Sequence, residues 1–255
     1  MPVLCEQHGA VGVLTLSRPA ARNCWGADFS EGLARELDRL ERDDAVRAVI
    51  ITGDEAGRAF SAGADLKDPN THTLETMADF FAELPKWRSF VVRHLDQFPK
   101  PLVAAVNGYA IGVGCILTYC CDLIVASERA EWRQPQVSLG IIPAYGGSVR
   151  LARWIGKGHT MKLSMGFPLD AAEAYRIGLA QWLVPHAELM AKAHEVAGHM
   201  AAMPPLATRL AKESLNRGLD IPNIDDASWV DAYRFMALGL TEEAKAKHEE
   251  WRRRS

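Results

Sequence analysis

Two stretches of small residues carry the clearest chemical suggestion in this chain. Ala62-Gly63-Ala64-Asp65 and Gly108-Tyr109-Ala110-Ile111-Gly112-Val113-Gly114 each follow an apolar run and each lead into a helical pattern. At such junctions backbone N–H groups lack intrahelical partners and point outward. Two of them aimed at one point form an oxyanion hole. It would stabilise the enolate or tetrahedral oxyanion developed at a carbonyl, and it needs only backbone and small side chains that let a substrate approach.

Other combinations of reactive residues are weaker. His194-Glu195-Val196-Ala197-Gly198-His199 has the residue types of a zinc-protease helix, but its histidines are five apart, about 140° off the common face that metal binding needs. Gly112-Val113-Gly114 opens a helix, yet Leu117 stands where a dinucleotide loop needs its third glycine. The five cysteines, Cys5, Cys24, Cys115, Cys120 and Cys121, have no metal-type spacing and read as reduced structural thiols. Arg252-Arg253-Arg254 is balanced by Glu249 and Glu250 and reads as a solvated helix end. No metal ligand set is identified.

The elements that must position the two loops are legible from hydropathy. Val11–Leu16 reads as a strand, and Ala48-Val49-Ile50-Ile51 and Pro101–Val106 are continuous apolar runs that suit strands buried on both faces. Leu123–Ala126 is another. Between the first two, Asp28 with Glu31 forms a capping-box pattern for a helix carrying Phe29, Leu33, Leu37 and Leu40. A helical stretch over 74–98 is expected to bend or break at Pro85. Strand and helix alternate to about residue 130, the mark of an α/β fold. From Asp170, with Glu173 in a second capping box and Gly178 as its stop, the pattern is helical: 189–203, 205–217, 227–238 and 241–254. In the last, Glu243 with Lys247 and Glu250 with Arg254 are spaced for i,i+4 pairs.

Composition limits the function classes. With 48% apolar and 24% charged residues the chain is ordinary globular material, and 29 Lys and Arg against 32 Asp and Glu leave no positive field to collect nucleic acid. There is neither a signal-like N-terminus nor an apolar run of membrane-spanning length, so a soluble cytoplasmic protein is expected.

At this point the sequence resembles the crotonase, or enoyl-CoA hydratase/isomerase, superfamily. The residues that carry the likeness are Leu16-Ser17-Arg18-Pro19 with Asn23, Phe60-Ser61-Ala62-Gly63-Ala64-Asp65-Leu66, Lys100-Pro101, Ala105 through Cys115, Cys121-Asp122, Gln134-Pro135, Leu139-Gly140-Ile141-Ile142-Pro143, Gly146-Gly147, Ala172-Glu173-Ala174 and Gly178-Leu179. The resemblance implies an α/β fold built as a spiral of ββα units over residues 1–200. A helical region over 201–255 would then pack in a homotrimer or a dimer of trimers. It also implies an acyl-CoA thioester ligand, with no cofactor beyond the coenzyme A moiety, whose carbonyl oxygen is held by the N–H groups of Ala64 and Val113. Ala62, Asp65 and Leu66 would lie beside the adenine end, with Arg22 and Lys67 as phosphate contacts by charge.

The chain departs from the family at the reacting centre. Hydratases of the family use two glutamates to hold and activate water; the corresponding positions here are Ile116 and Gln136. Neither can act as an acid or base, and each such group typically contributes about 10² to 10⁴ in rate. An isomerase carboxylate at Gln136 or around Ala144 is also missing. Tyr145 is the first candidate replacement and His94 the second, with Tyr119, His72, Glu75 and Tyr233 behind them; Trp132 is placed as a pocket wall. The open readings are an enolate-forming enzyme such as a decarboxylase, isomerase or thioesterase, a non-catalytic acyl-CoA-binding protein, and a weak hydratase.

Overall fold

The computed structural model describes residues 2–67 and 76–254. Its first sheet has the order β1-β2-β3-β5-β7-β10 and its second the order β4-β6-β8-β9. The large sheet takes β1 (Val3–His8), β2 (Val11–Leu16), β3 (Ala48–Gly53), β5 (Leu102–Val106), β7 (Leu123–Ser127) and β10 (Trp182–Val184). The small sheet takes β4 (Ala59–Ser61), β6 (Tyr109–Ile111), β8 (Glu131–Arg133) and β9 (Leu169–Asp170). β3 is followed by β4, β5 by β6 and β7 by β8, so each unit lays one strand in each sheet and the spiral advances by one strand per unit.

Both faces of the large sheet are covered, which is why its strands read as unbroken apolar runs. Val49, Ile51, Leu102, Ala104 and Ile124 face a core shared with Phe29, Leu33, Leu37 and Leu40 of α1 (Ala27–Arg42). Ile50, Val103, Ala105 and Val125 face the other way, onto Leu189, Ala193, Val196 and Ala197 of α6 (Leu189–Ala201), whose range follows α2 (Met77–Val91), α3 (Val113–Thr118), α4 (Gly147–Ser164) and α5 (Ala171–Arg176). The chain closes with α7 (Pro205–Gly218), α8 (Ile224–Gly239) and α9 (Glu242–Arg254).

Several local expectations are corrected. Asp28 does not cap α1: Gly26 is the cap residue without a side-chain bond, and Asp28 is exposed and paired with Arg18. The helix starts at Ala27, ahead of the expected cap, so Asp28 lies within its first turn rather than at the cap position. α2 runs through Pro85 and passes into a π-helical turn at Val92–Asp96, so its irregularity lies later than the proline. Loss of a single backbone donor is tolerated there. In α9, Lys247 pairs with Glu250 at 3.1 Å rather than with Glu243, the i,i+3 geometry. The second capping box is half formed: Asp170 accepts the Glu173 N–H at 2.7 Å, and Gly178 ends that helix with φ +83°. β1, the strands of the small sheet and α4 were not anticipated, nor was β10, a three-residue strand that pairs with β7 inside the stretch read as helical from Asp170.

Candidate active site

β4 and β6 run parallel with Ser61 paired to Ala110, so the turns that follow them emerge side by side. They touch at glycines. Gly63 has φ +85° and Gly112 φ +56°, backbone that L side chains avoid. A methyl group built on Gly63 would lie 2.7 Å from the Ile111 carbonyl oxygen and 3.7 Å from Gly112 Cα; one built on Gly112 would lie 3.9 Å from Gly63 Cα. Nothing larger than hydrogen fits between the turns on the Gly63 side. The next residue in each turn, Ala64 and Val113, therefore starts from a neighbouring point.

The direction of the two N–H groups follows from their pairing. Trp25 bridges Ala64 in parallel fashion: the Trp25 N–H donates to Gly63 O at 2.7 Å and the Asp65 N–H donates to Trp25 O at 3.0 Å. In a parallel bridge the middle residue turns its own N–H to the opposite edge. Val113 is the first residue of α3, and the first intrahelical bond comes later, from the Ile116 N–H to Gly112 O at 3.0 Å. Neither N–H has a hydrogen-bond partner among the described residues.

A six-residue helix is too short to hold itself. α3 is braced from beneath by a buried polar network: the Trp132 indole N–H donates to Thr118 Oγ1 at 3.0 Å, and the Thr118 hydroxyl donates to Cys115 O at 2.7 Å. Gln134 continues it, donating to the Tyr119 hydroxyl at 2.8 Å and accepting from Ser164 at 3.2 Å. Trp132 is thus wholly buried and supports α3 rather than forming an open wall; β8 alternation turns it inward between the less buried Glu131 and Arg133. Sequence reasoning missed Thr118 and Ser164, whose roles depend on contacts 14 and 30 residues away. Ser61, which accepts the Gly63 N–H at 3.3 Å, had a local signal in its i,i+2 spacing to the glycine.

Ile116 and Gln136, the two positions expected at the reacting centre, are placed differently. Ile116 is 3% exposed, and its Cδ1 and Pro143 Cβ both lie 2.9 Å from a methyl group built on Gly147, so it packs against the 143–147 loop. The Gln136 amide reaches back to the glycine turn: Nε2 lies 3.7 Å from a methyl group built on Gly112. Its Oε1 is buried with no hydrogen-bond partner.

One rim of the site gathers the charged candidates. Arg22 accepts the Ala62 N–H at 3.0 Å through its carbonyl, and the Lys67 N–H donates to Asp65 Oδ1 at 3.0 Å, which brings Arg22, Ala62, Asp65, Leu66 and Lys67 together next to Ala64. Leu66 is 62% exposed.

Tyr145 has φ +55° and packs against the core, and burial pushes its phenol pKa upward, so it is a neutral O–H at physiological pH. Arg150 steadies that loop, donating to Tyr145 O at 3.2 Å while its guanidinium binds Asp96 through two bonds of 2.6 and 2.5 Å. His94 is placed elsewhere: its Nε2 lies 3.3 Å from Asp38 Oδ1 of α1, and its Nδ1 is buried without a partner. The helix register turns it toward α1 rather than toward the glycine turns. Tyr119 is buried in the network beneath α3 and Tyr233 is exposed on α8. His72 and Glu75 lie outside the described residues.

A cavity of about 1340 Å³ opens elsewhere, between α7 and the core, bounded by Phe98, Asp122, Arg150, Lys212 and Asn216; Ala64, Val113 and Gln136 do not line it. Among the described residues no cluster of three or more His, Cys, Asp or Glu could hold a metal ion, and no helix is long and apolar enough to cross a membrane.

The chain is similar in sequence and fold to known proteins. The sequence profile described as enoyl-CoA hydratase/isomerase matches residues 6–250. A probable enoyl-CoA hydratase of Rhizobium meliloti (strain 1021) is 38% identical over 245 residues, covering 95% of this chain and 91% of that protein. A short-chain-enoyl-CoA hydratase of Clostridium acetobutylicum is 37% identical, with 95% and 91% covered. A crystal structure of an enoyl-CoA hydratase subunit from Geobacillus kaustophilus HTA426 superposes with a TM-score of 0.91 at 32% identity, covering 100% of this chain and 96% of that one.

Proposed function

The chain belongs to the enoyl-CoA hydratase/isomerase family, and from that membership we propose that it binds an acyl-CoA thioester and stabilises the thioester enolate without activating water. The observation that carries this reading is the contact of Gly63 with Gly112, from which the Ala64 and Val113 N–H groups leave side by side. Donors fixed in advance to meet charge that develops at a carbonyl oxygen typically contribute about 3 to 4 kcal/mol each to the barrier. The coenzyme A moiety lies along the Arg22, Ala62, Asp65, Leu66 and Lys67 rim, where two cations can meet its phosphates. Tyr145 is the proton donor of this reading.

The same geometry argues against efficient hydration. Ile116 and the Gln136 amide replace two groups that would have to take and give protons, and the side chain of Ile116 dries the cavity against Pro143. Exposed apolar residues along α8 and at its C-terminal end, with Ile224 76%, Phe235 73% and Leu240 71% exposed, support self-association as a homotrimer or a dimer of trimers.

The deciding experiment incubates the purified protein with enoyl-, malonyl-, aryl- and saturated acyl-CoA thioesters and reads bound ligand and product by mass spectrometry. A product other than the hydrated thioester is expected. Hydration of crotonyl-CoA at ordinary enzyme rates overturns the reading. A bound thioester that stays unchanged for hours makes the protein a carrier instead.

A further inference from the structure

We propose that Arg150 is a positioning residue that acts through Tyr145: anchored on Asp96, it holds the Ala144–Gly147 turn in the backbone conformation that fixes the tyrosine. This rests on the reading of Tyr145 as the donor of the proton to C2, the enolate carbon next to the thioester carbonyl, and adds what keeps that donor in place. The Gly147 N–H donates to Ala144 O at 2.8 Å across the turn, and both central residues have positive φ, Tyr145 at +55° and Gly146 at +70°. That is the pattern of a mirror-image turn, whose first central position is ordinarily filled by Asn, Asp or Gly. A bulky aromatic residue there is an outlier that its surroundings must enforce, and such outliers collect at functional sites. The turn also abuts α3: a methyl group built on Gly147 would lie 2.9 Å from Ile116 Cδ1, and Ile116 stands one helical turn after Val113.

Arg150 supplies the enforcement. It lies in the first turn of α4 and folds back over the strained turn: its backbone N–H donates to Gly146 O at 2.9 Å, its Nε donates to Tyr145 O at 3.2 Å, and a methyl group built on Gly146 would lie 3.3 Å from that Nε. The far end of the guanidinium cannot swing away, because Nη1 and Nη2 donate to the two oxygens of Asp96 at 2.6 and 2.5 Å. Asp96 is itself fixed as the last residue of the π-helical turn Val92–Asp96, and its carbonyl accepts the Asn216 Nδ2 of α7 at 3.2 Å. Only arginine can do this: a planar fork binds both carboxylate oxygens and leaves Nε to donate in the same plane, whereas an ammonium is a single point of charge. The pair is largely sheltered, with 28% of the Arg150 and 24% of the Asp96 side chain exposed. A residue that served the fold alone would need only the bonds to Asp96; the Nε bond goes to the one peptide that follows the strained tyrosine.

The test is a double-mutant cycle between Arg150→Met and Tyr145→Phe, with kcat and KM read on whichever thioester of the panel above is consumed. Arg150→Met alone is expected to lower kcat by about tenfold or more with KM little changed; in the Tyr145→Phe background it should lower kcat by less than about twofold, since a hydroxyl already absent cannot be misplaced. Arg150→Lys keeps the charge without the fork and should behave as Arg150→Met does. Equal losses in the two backgrounds, or full activity in Arg150→Lys, overturn the assignment. An unchanged kcat in Tyr145→Phe overturns the proton-donor reading instead. A second cycle needs no turnover and uses a gentler variant: the fall in urea midpoint caused by Asp96→Asn is measured alone and with Tyr145→Gly. The fall should be smaller beside Tyr145→Gly, because glycine keeps a positive φ unaided, and an equal fall in both overturns the claim that the pair enforces the turn. If the wild type consumes no thioester the enolate reading fails, and the second cycle still decides whether Arg150 and Asp96 hold Tyr145.

Discussion

Gly63 and Gly112 meet backbone to backbone: each Cα lies within 4 Å of where the other's Cβ would be. This contact joins two turns 49 residues apart in sequence and is the point from which both proposed oxyanion donors depart.

Adding a methyl group separates the two sides of that contact. Gly63→Ala places Cβ 2.7 Å from the Ile111 carbonyl, a collision with backbone that only loop movement can relieve, whereas Gly112→Ala meets its neighbours at 3.7 Å or more and suffers only from its positive φ. Gly63→Ala is expected to lose more stability, about 2 to 3 kcal/mol against about 1 to 2, and acyl-CoA binding with it. Urea titration with calorimetry checks the order; equal costs would mean that the turns do not depend on close approach.

Carboxylates restored at the two emptied positions should restore water chemistry. Ile116→Glu with Gln136→Glu is expected to raise crotonyl-CoA hydration by about 10² or more, and either change alone by far less, because the paired groups act as a unit. The gain comes with lower stability, since Ile116 is 3% exposed and a carboxylate there is poorly solvated. Loss of the ultraviolet absorbance of the enoyl thioester follows the rate; no gain in the double variant would place the barrier to hydration elsewhere.

The sequence made some levels of this structure readable and hid others for identifiable reasons. Ala48–Ile51 and Leu102–Val106 stand out because both faces of their sheet are buried. The three-residue strands β4, β6 and β8 are too short to show a period, and pairings such as Ala110 with Trp132 are not local. α4 has no side-chain cap, and Gly156 kinks it with φ +77°, which breaks the pattern that would reveal it. The identity of Gln136 was legible; the unpaired amide was not, because burial of one atom is a property of the packed loop. His94 was misplaced because its partner Asp38 lies on another helix.

The thiols should divide into two classes. Cys115, Cys120 and Cys121 are buried and burial pushes their pKa upward, that of Cys120 to about 12, while Cys5 and Cys24 are half-exposed. Two of the five are expected to react with a disulfide reagent in the native protein and five in denaturant. Because the folded pKa values lie above the unfolded value of 9.0, the unfolded chain releases protons first, so stability is full below pH 9 and declines as pH rises toward 12. Rapid native reaction of Cys120 or Cys121, or stability that rises over that range, would contradict the packing beneath α3.

Lys212 ties the C-terminal helices to the sheet: its Nζ lies 2.8 Å from Asp122 Oδ2, and that carboxylate also accepts the Leu102 N–H at 2.7 Å. Lys212→Met leaves Asp122 without its cation and should cost about 1 to 3 kcal/mol, less than a fully buried pair because Asp122 keeps 23% exposure. Hydrogen exchange should speed in α7 more than in α6, which is held by the apolar face of the sheet. Uniform exchange across both helices would show that the pair is not what anchors α7.

Tyr145 gives the sharpest test of who supplies the proton. Its phenol is raised in pKa by burial, so as a donor it is protonated across the neutral range and is lost only above its ordinary value of 10.0. Tyr145→Phe keeps the ring that packs on the core and removes only the hydroxyl, so the apolar contacts of the loop survive. If the hydroxyl delivers the proton to C2, kcat should fall by about 10² or more with KM little changed, the mark of a group that acts on the transition state rather than on binding. The wild-type rate should stay flat from about pH 6 through the ordinary phenol value of 10.0 and decline only above it, and the residual rate of the variant should lack that decline. An unchanged kcat in Tyr145→Phe makes the tyrosine a packing residue and leaves solvent as the direct proton source, which the apolar surroundings of Ile116 and Pro143 would then have to admit.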